Sequence, residues 1–384
     1  MRLCSGWRPL LLFLPLIVVT HHLFPVELSH DAAAVKNSAA SRRSKSDHLI
    51  LGPAAGQGLP DRLQCQGTKA LNKTYFSSSS RISQSDESVT FVTVFSIYNS
   101  SVDAQSSKLV TVGNASYNKV QRSMAVLNVY INFIQVAMPN SEIAILTDPE
   151  SDIPIDRHKV TVYPIRGDYS RDKLMLQRIR SYIAFLDVKH KEHSRGQMNI
   201  KHYIFTDSDI SVIDDLGRLF HDHPDFHLAL TFRNNKEQPL NSGFIAVRGT
   251  TEGILRAKEF LQEVLLVYSS KFMKASRMLG DQLALAWTVH SHLSADSKRY
   301  LKPEPFIEEI GRVKVLFLPC AIYNWTPPEG AGQFHGMPLN VKVVHFKGSR
   351  KRLMLESWNF YQSSTSIPDM LCLILMSGRT KYDF

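Results

Sequence analysis

The sequence KHYIFTDSD, at residues 201–209, joins an apolar run to two closely spaced aspartates. Residues 201–206 are rich in aromatic and β-branched side chains, which predicts a buried strand. Asp207 and Asp209 follow it at once, at positions i and i+2. Ligands of open α/β sheets bind just past the carboxyl ends of strands, so these two carboxylates can grip one divalent cation. The alternative is an acidic turn that caps a following helix.

The chain on either side alternates between two hydrophobic periodicities. Short β-branched and aromatic runs predict strands at 89–95, 142–147, 160–165, 226–232, 243–247, 314–318 and 341–345. Helical spacing predicts helices at 117–134, 171–188, 252–267 and 281–289. The alternation predicts an α/β layered fold, with a largely parallel sheet flanked by helices, as one domain over residues 89–355. The tail at 356–384 has no predicted role.

The sequence VKVVHFKGSRK, at residues 341–351, ends a second apolar strand at a histidine. A neutral imidazole at His345 can complete a coordination shell that two aspartates begin. Gly348 permits a tight turn and a close approach of the backbone to a phosphate, and Lys351 supplies a point charge for a diphosphate. The alternatives are a polar strand end and a solvated basic face.

Two further segments carry candidate binding groups. Asn241, Ser242 and Gly243 precede the strand predicted at 243–247 and suit a loop that reads sugar hydroxyl groups; a plain β-turn is the alternative. Asp281 and Gln282 open the helix predicted at 281–289. There, Asp281 is either a helix N-cap or a hydrogen-bonding group beside the reacting carbon of a sugar.

Composition narrows the class of protein. Hydrophobic residues make up 43% of the 384 residues, which suffices for a large core, and the net charge is +10. The basic residues are scattered, and no nucleic-acid module accompanies them, so we predict no nucleic-acid partner. The four cysteines, Cys4, Cys65, Cys320 and Cys372, form no CxxC pair. A structural zinc site is therefore not expected, and Cys65 and Cys320 are either free thiols or a disulfide pair.

The N-terminus predicts delivery to the secretory pathway. A basic stretch at 1–8 precedes an uncharged apolar run at 9–26, which is the short limit for a bilayer-spanning helix. The flanking charge predicts a cytoplasmic tail, a signal-anchor and a lumenal body; a cleaved signal peptide is the alternative. Residues 27–88 read as a flexible stem. Four Asn-x-Ser/Thr sequons, at Asn72, Asn99, Asn114 and Asn324, are compatible with a lumenal body.

With these elements in chain order, the sequence resembles the nucleotide-diphospho-sugar transferase family of GT-A-fold glycosyltransferases, which includes plant cell-wall enzymes. Thr206-Asp207-Ser208-Asp209 matches the Asp-x-Asp loop of that family, and Asn241-Ser242-Gly243 resembles its Asn-Ala/Ser-Gly loop. Residues 345–351 are similar to the His-x-x-Gly-x-x-Lys motif of glycogenin-like retaining transferases. The resemblance covers about residues 89–355 and implies a GT-A-like, Rossmann-type mixed sheet as a single catalytic domain.

The resemblance also implies roles for residues. Asp207, Asp209 and His345 are expected to bind Mn²⁺ or Mg²⁺, and Lys351 the diphosphate. Asp281 and Gln282 are expected beside the donor sugar. Basic donor-binding positions match Lys173 or Arg178, and the nucleotide base is expected near Tyr98.

The expected activity is transfer of a hexosyl or pentosyl group from a UDP-sugar to a glycan or glycoprotein acceptor. The expected place is the Golgi lumen, with the chain as a single-pass type II membrane protein. Two alternatives are a metal-dependent phosphohydrolase, which also uses aspartates at strand ends, and a non-catalytic lumenal binding protein of the same fold.

Overall fold

The computed structural model of the protein describes residues 65–66, 69–70, 88–97, 109–112, 115–196, 200–233, 235, 238–275, 278–292, 297–327, 340–351 and 353–355. Its strands are β1 (Cys65–Gln66), β2 (Lys69–Ala70), β3 (Ser88–Val94), β4 (Val110–Val112), β5 (Ala115–Tyr117), β6 (Glu142–Thr147), β7 (Val160–Pro164), β8 (Lys201–Thr206), β9 (Ile210–Val212), β10 (Leu228–Phe232), β11 (Leu240–Val247), β12 (Phe306–Ile310), β13 (Val313–Pro319) and β14 (Val343–His345).

The helices are α1 (Lys119–Ala137), α2 (Leu174–Ser194), α3 (Gly217–Asp222), α4 (Thr251–Val267), α5 (Gly280–His292) and α6 (Cys320–Tyr323). A π-helical turn at Tyr268–Phe272 extends α4, and 3₁₀ turns lie at Ser297–Leu301 and Gly348–Arg350. The start of α1 illustrates the local chemistry. The side chain of Asn118 accepts from the backbone N–H of Gln121 at 2.8 Å, and the Gln121 side chain accepts from the Asn118 N–H at 3.0 Å. This capping box satisfies two amide donors at the helix end.

Eight strands form one mixed sheet in the order β12-β13-β10-β11-β8-β3-β6-β7. The pairings of β7 with β6, β6 with β3, β3 with β8 and β13 with β10 are parallel. Those of β8 with β11, β11 with β10 and β13 with β12 are antiparallel. The predicted α/β class is therefore confirmed. The sheet is more mixed than predicted, since a short connection joins β10 to β11 and makes that pair antiparallel.

Helices cover both faces of this sheet, and each face has its own core. Side chains of α1 pack with Phe91 and Ile143 on one face. Side chains of α2, α4 and α5 pack with Val92 and Ala144 on the other face. Because neighbouring residues of a strand point to opposite faces, strands covered on both sides read as continuous apolar runs. That explains why β3, β6 and β8 can be recognised in the sequence.

The path of the chain leaves a crevice beside β8. The chain runs from β3 to β6 and β7 on one side of β3, and then returns to β8 on the other side. The strand order reverses at this point, and in open α/β sheets such a switch point is where ligands bind, beyond the carboxyl ends of the strands. Asp207 and Asp209 follow β8 at that end, as predicted.

The prediction that 341–345 adds a strand beside the others needs correction. β14 lies outside the large sheet and pairs antiparallel with β9, a three-residue strand that follows the aspartates. Val341, Val343 and Val344 are buried in the same core as α1. The apolar pattern of this segment therefore reflects packing between a small sheet and α1, and it does not distinguish that arrangement from membership of the large sheet.

Several predictions concern residues that the structure does not describe. The tail and apolar run at 1–26, residues 356–384 and the sequons at Asn72, Asn99 and Asn114 lie outside the described residues. The same holds for most of the predicted stem, within which β1 and β2 form a two-stranded antiparallel sheet. Within the described ranges, no helix is both long and apolar enough to cross a bilayer. Cys320 is a free thiol, and burial raises its pKa to about 11.

Candidate metal and diphosphate site

The loop that carries the two aspartates is fixed from both sides by backbone hydrogen bonds. The N–H of Asp207 donates to the carbonyl of Gly243 in β11 at 3.2 Å, and the N–H of Phe346 donates to the carbonyl of Asp209 at 2.8 Å. Just before the loop, the Thr206 hydroxyl lies 2.9 Å from the buried Tyr130 hydroxyl of α1. The positions of both carboxylates are therefore set by β11, the residue after β14, and α1.

His345 reaches this loop because β14 pairs with β9, and His345 lies opposite Ile210. Its Nε2 atom lies 3.6 Å from Oδ2 of Asp207 and 3.3 Å from Oδ1 of Asp209. One ligand atom from each of the three residues lies within 4.8 Å of the others. The sequence separates His345 from the aspartates by more than 130 positions, and the fold brings them to one point.

The donor set and the space around it fit a divalent cation. Two carboxylates and an imidazole are ligands that Mn²⁺ accepts, and the carboxylates also suit Mg²⁺. Gly243 lines the group. A Cβ atom at this glycine would lie 2.8 Å from Oδ2 of Asp207 and 2.8 Å from Cε1 of His345. Any larger residue would therefore push the ligands apart, so the absence of a side chain at Gly243 keeps their present arrangement possible.

Lys351 holds the outer oxygen of Asp209. Its Nζ atom lies 2.8 Å from Oδ2, while Oδ1 faces His345. Burial alone would raise the pKa of Asp209, but the positive charge and the hydrogen bond of Lys351 hold the pKa well below its usual range. Gly348 has the predicted tight turn, with a φ of 66°. That turn leads to Lys351, whose side chain remains 34% exposed and so accessible to a ligand.

Arg178 of α2 holds the outer oxygen of Asp207 in the same way. Its guanidinium donates to Oδ1 of Asp207 and to Oδ2 of Asp281, and also to the carbonyl of Ser242 at 3.0 Å. Although burial opposes its charge, Asp207 and Asp281 raise the pKa of Arg178. Burial also raises the pKa of Asp281, and Arg178 offsets this only in part. Arg178 therefore links the cation ligands to the start of α5.

Asp281 and Gln282 lie in the first turn of α5, which begins at Gly280. Asp281 is not the N-cap residue, so its alternative role as a helix cap is wrong. Its carboxylate accepts a hydrogen bond from Arg178. The side-chain amide of Gln282 donates to Oε1 of Gln238 at 3.0 Å. Both residues are buried at the edge of the crevice. Arg178 thus joins Asp281 to the cation ligand Asp207, while the place of Asp281 and Gln282 beside a donor sugar stays a prediction.

The prediction of a loop at Asn241, Ser242 and Gly243 is wrong, because β11 begins at Leu240. The pairing of β10 with β11 shifts between Leu230 and Thr231, which makes an irregularity at this point. Such bulges re-aim side chains beside functional sites. Here the irregularity places Gly243 against Asp207 from within a strand, and not from the predicted loop.

Two predicted residues are not placed at the site. Tyr98 lies outside the described residues. Lys173 occupies the N-cap position of α2, and its backbone carbonyl accepts from the N–H of Gln177 at 2.9 Å. In the described part of the chain, no ion pair or hydrogen bond joins the Lys173 side chain to the carboxylates. Of the two basic positions proposed on α2, Arg178 is the one that reaches them.

One further residue, Asn324, contacts the candidate metal ligand His345. Asn324 is 3% exposed, and its Oδ1 lies 2.9 Å from Nδ1 of His345. The side-chain amide donates to Oδ1 of Asn241 at 2.8 Å. In the sequence Asn324 is recognisable only as part of a sequon, but here its amide is buried and hydrogen-bonded. The folded chain therefore does not offer Asn324 for glycosylation, and its contact with His345 has no local sequence signal.

Comparisons with known proteins find likeness in structure alone. No protein-family model matches the chain, and no curated protein matches it in sequence. Similar solved structures are glycosyltransferases. One, involved in the glycosylation of the major capsid of PBCV-1, is 10% identical over 71% of this chain and 99% of its own, with a TM-score of 0.39. Another, GlyE of Streptococcus pneumoniae TIGR4, is 12% identical over 52% of this chain and 43% of its own, with a TM-score of 0.32.

Proposed function

We propose that the protein is a metal-dependent glycosyltransferase that moves a hexosyl or pentosyl group from a UDP-sugar to a glycan or glycoprotein acceptor. The observation that carries the proposal is the meeting of Asp207, Asp209 and His345 at one point, with Lys351 beside them. Three ligands for a hard cation next to a partly exposed lysine suit a diphosphate that leaves from a sugar.

The charges of the site support this substrate class. Apart from the contacts with His345, the ion pairs of the described residues join the carboxylates of Asp207, Asp209 and Asp281 to two cations, those of Arg178 and Lys351. The group therefore has one excess negative charge. A divalent cation would reverse that sign and make the site attractive to a diphosphate.

Each residue would have a definite task in the reaction. Asp207, Asp209 and His345 would hold Mn²⁺ or Mg²⁺, which supplies neutralisation of the charge that develops on the leaving diphosphate. Lys351 would turn from Asp209 to the diphosphate and add a positive charge there. Arg178 would keep the carboxylate of Asp207 aimed inward, and Asp281 and Gln282 would hydrogen-bond to the donor sugar.

The bond between the anomeric carbon and the diphosphate oxygen breaks, and UDP leaves with the electron pair. A hydroxyl oxygen of the acceptor forms the new bond to the anomeric carbon, and its proton passes to the departing UDP oxygen. The resemblance to glycogenin-like transferases supports a retained anomeric configuration.

The N-terminal segment supports a Golgi location as part of the same proposal. The order of a basic stretch, an apolar run and a polar stem suits a type II membrane protein with a lumenal catalytic domain. Localisation of the tagged full chain, combined with protease protection of its C-terminal part, tests this arrangement.

The decisive experiment is a donor screen with a matched pair of variants. The purified protein is incubated with Mn²⁺ and several UDP-sugars, and released UDP is measured. Asp209→Asn should lower turnover by at least about 100-fold, because the cation loses a charged ligand. Asp225→Asn is the control, since Asp225 also forms a lysine ion pair, with Lys314 at 2.7 Å, but on the exposed surface.

The screen also separates the alternatives. A binding protein of the same fold would bind UDP-sugars and release no UDP. A phosphohydrolase that uses two metal ions would need a second cluster of ligands, and the described residues contain one such group. Unchanged UDP release by Asp209→Asn would contradict the assigned metal ligand.

A further inference from the structure

Asn324 lies between the cation ligands and the strand that carries Gly243. It follows α6, and its side chain is enclosed by three hydrogen-bonding partners. Oδ1 lies 2.9 Å from Nδ1 of His345, and Nδ2 lies 2.8 Å from Oδ1 of Asn241 and 3.3 Å from the hydroxyl of Thr231. A buried amide with partners on both ends can stabilise one orientation only.

The directions of these hydrogen bonds follow from a backbone group whose role is fixed. The N–H of Gly243 donates to the side chain of Asn241 at 2.8 Å, so the atom that accepts there is the amide oxygen. The same oxygen receives the bond from Asn324, which must therefore present its NH₂ group to Asn241. The oxygen of Asn324 is left facing His345.

Thr231 gives an independent indication of the same direction. Its hydroxyl donates to the backbone carbonyl of Asn241 at 3.1 Å. A hydroxyl has one proton, so toward Asn324 it can only accept. Two partners of Asn324 thus require its NH₂ group on the same side, and the side-chain orientation is determined twice.

The oxygen of Asn324 can only accept, so Nδ1 of His345 must carry a proton. In a neutral imidazole with the proton on Nδ1, the lone pair lies on Nε2. That atom faces the inward oxygens of Asp207 and Asp209, at 3.6 and 3.3 Å. We propose that Asn324 is a positioning residue, which keeps the metal-binding lone pair of His345 on Nε2. The proposal rests on the metal site of the proposed function and not on the sugar or the acceptor.

The chemistry of the position explains why an amide stands there. An aspartate at 324 could still accept from Nδ1, but its second oxygen would face Oδ1 of Asn241 at about the same distance, acceptor against acceptor. It would also add a carboxylate to a site already rich in them. An apolar residue would leave Nδ1 of His345 without an acceptor and free the ring to adopt the other tautomer. The amide is the side chain that satisfies both partners without a charge.

The first test measures the affinity of the full chain for Mn²⁺ alone, from the electron paramagnetic resonance signal of the free ion. Asn324→Asp and Asn324→Leu should each weaken binding by about 10–100-fold, the range seen when a partner of a metal-bound histidine is removed. Asn128→Asp is the matched control. Its amide also donates to an acceptor, the carbonyl of Met124 at 3.0 Å, but within α1.

A second measurement does not depend on whether the Asn324 variants fold. In wild-type protein labelled with ¹⁵N in its histidine rings, free of metal and at alkaline pH, the ring nitrogens of His345 report which of them carries the proton. His345→Gln identifies the signals. We expect the proton on Nδ1. A proton on Nε2 overturns the proposal.

The outcomes separate this inference from the proposed function. If wild type binds Mn²⁺ and both Asn324 variants bind it equally well, the positioning role is wrong and the metal site stands. If wild type binds no Mn²⁺, the metal site and the inference built on it fall together. Weaker binding by the Asn324 variants, with unchanged binding by Asn128→Asp, supports both.

Discussion

The two halves of the candidate site hold their cation ligands by different forces. In the charged half, Arg178 and Lys351 grip the outer oxygens of Asp207 and Asp209 through ion pairs. In the neutral half, the amide of Asn324 holds His345 and is itself held by the amide of Asn241, while the bare backbone of Gly243 lies beside the imidazole ring; none of these three residues is charged. Both halves are largely buried, and both end on the same cluster of ligand atoms.

The difference follows from what each ligand must offer. A carboxylate has two equivalent oxygens, so a cation on one of them leaves the other aimed at the metal and keeps the group ionised. A neutral imidazole has two nitrogens, of which one carries a proton. The residue that hydrogen-bonds to the ring therefore determines which nitrogen is protonated. A neutral acceptor with a fixed direction does this without changing the charge of the site. Damage to the charged half should therefore reduce stability most, and damage to the neutral half should reduce metal affinity most.

The largest effect on stability is expected for Arg178→Met. The variant leaves Asp207 and Asp281 without their buried cation, and breaking a buried pair by removing one partner costs about 3–5 kcal/mol. The free energy of unfolding, measured by urea titration, should fall by that amount. Arg218→Met, at an exposed position on α3, is the control and should change it little.

A double variant sharpens this prediction. Asp281→Asn added to Arg178→Met removes one of the two unpaired charges, so part of the lost stability should return. If the single variant is as stable as wild type, the ion pairs of Arg178 do not hold the charged half together. If the double variant is less stable than the single one, Asp281 has another role than partner of Arg178.

A smaller loss of stability, with a larger effect on metal binding, is expected for Gly243→Ala in the neutral half. The new Cβ atom would lie 2.8 Å from both Oδ2 of Asp207 and Cε1 of His345. Overpacking of this kind costs about 1–3 kcal/mol. Because the two ligands must separate, Mn²⁺ affinity measured by calorimetry should fall at least about 10-fold, the lower bound for disturbed ligand support.

Gly217→Ala is the matched control for this variant. A Cβ atom at Gly217 meets only the carboxylate oxygen of Asp215, at 3.1 Å, which is the far end of a flexible side chain. Its stability and metal affinity should remain close to wild type. Equal Mn²⁺ affinity in Gly243→Ala would mean that the ligands tolerate displacement and that the neutral half is not tightly constrained.

The sequence predicts the cation ligands better than it predicts the residues that hold them. The two aspartates follow the strand that ends at Thr206, and the histidine ends β14. Both strands are short apolar runs, and their period and ends can be recognised from neighbouring residues alone. The helices α1, α2, α4 and α5 were recognisable for the same reason. Their ends differ from the prediction by at most six residues, since caps such as Asn118 decide where a helix begins.

The holders of the ligands could not be predicted as a group. Asn324 is 21 positions from His345 and 83 from Asn241, and polar partners at such distances leave no periodic trace. In the sequence, the irregular start of β11 resembles a loop, because small polar residues are typical of turns. Strand β12 was missed, because its alternation of Ile and Glu at the sheet edge is short and partly exposed.

The smallest effect concerns the pH dependence of the charged half. The pKa of Asp209 lies below the ordinary 3.8 in the folded chain, where the charge and hydrogen bond of Lys351 outweigh the cost of burial. The ionised carboxylate therefore contributes stability that is fully present above about pH 5 and is lost as pH falls through the unfolded pKa toward the folded pKa. The free energy of unfolding of wild type should thus decline relative to that of Asp209→Asn between pH 4.5 and about pH 3. Metal-free protein is needed for the measurement, and Asp225→Asn shows how far an exposed lysine pair alone produces such a decline. If the difference in unfolding free energy between wild type and Asp209→Asn stays constant across that range, Lys351 does not favour the ionised carboxylate. The contrast between the charged half and the neutral half of the site would then not hold at Asp209.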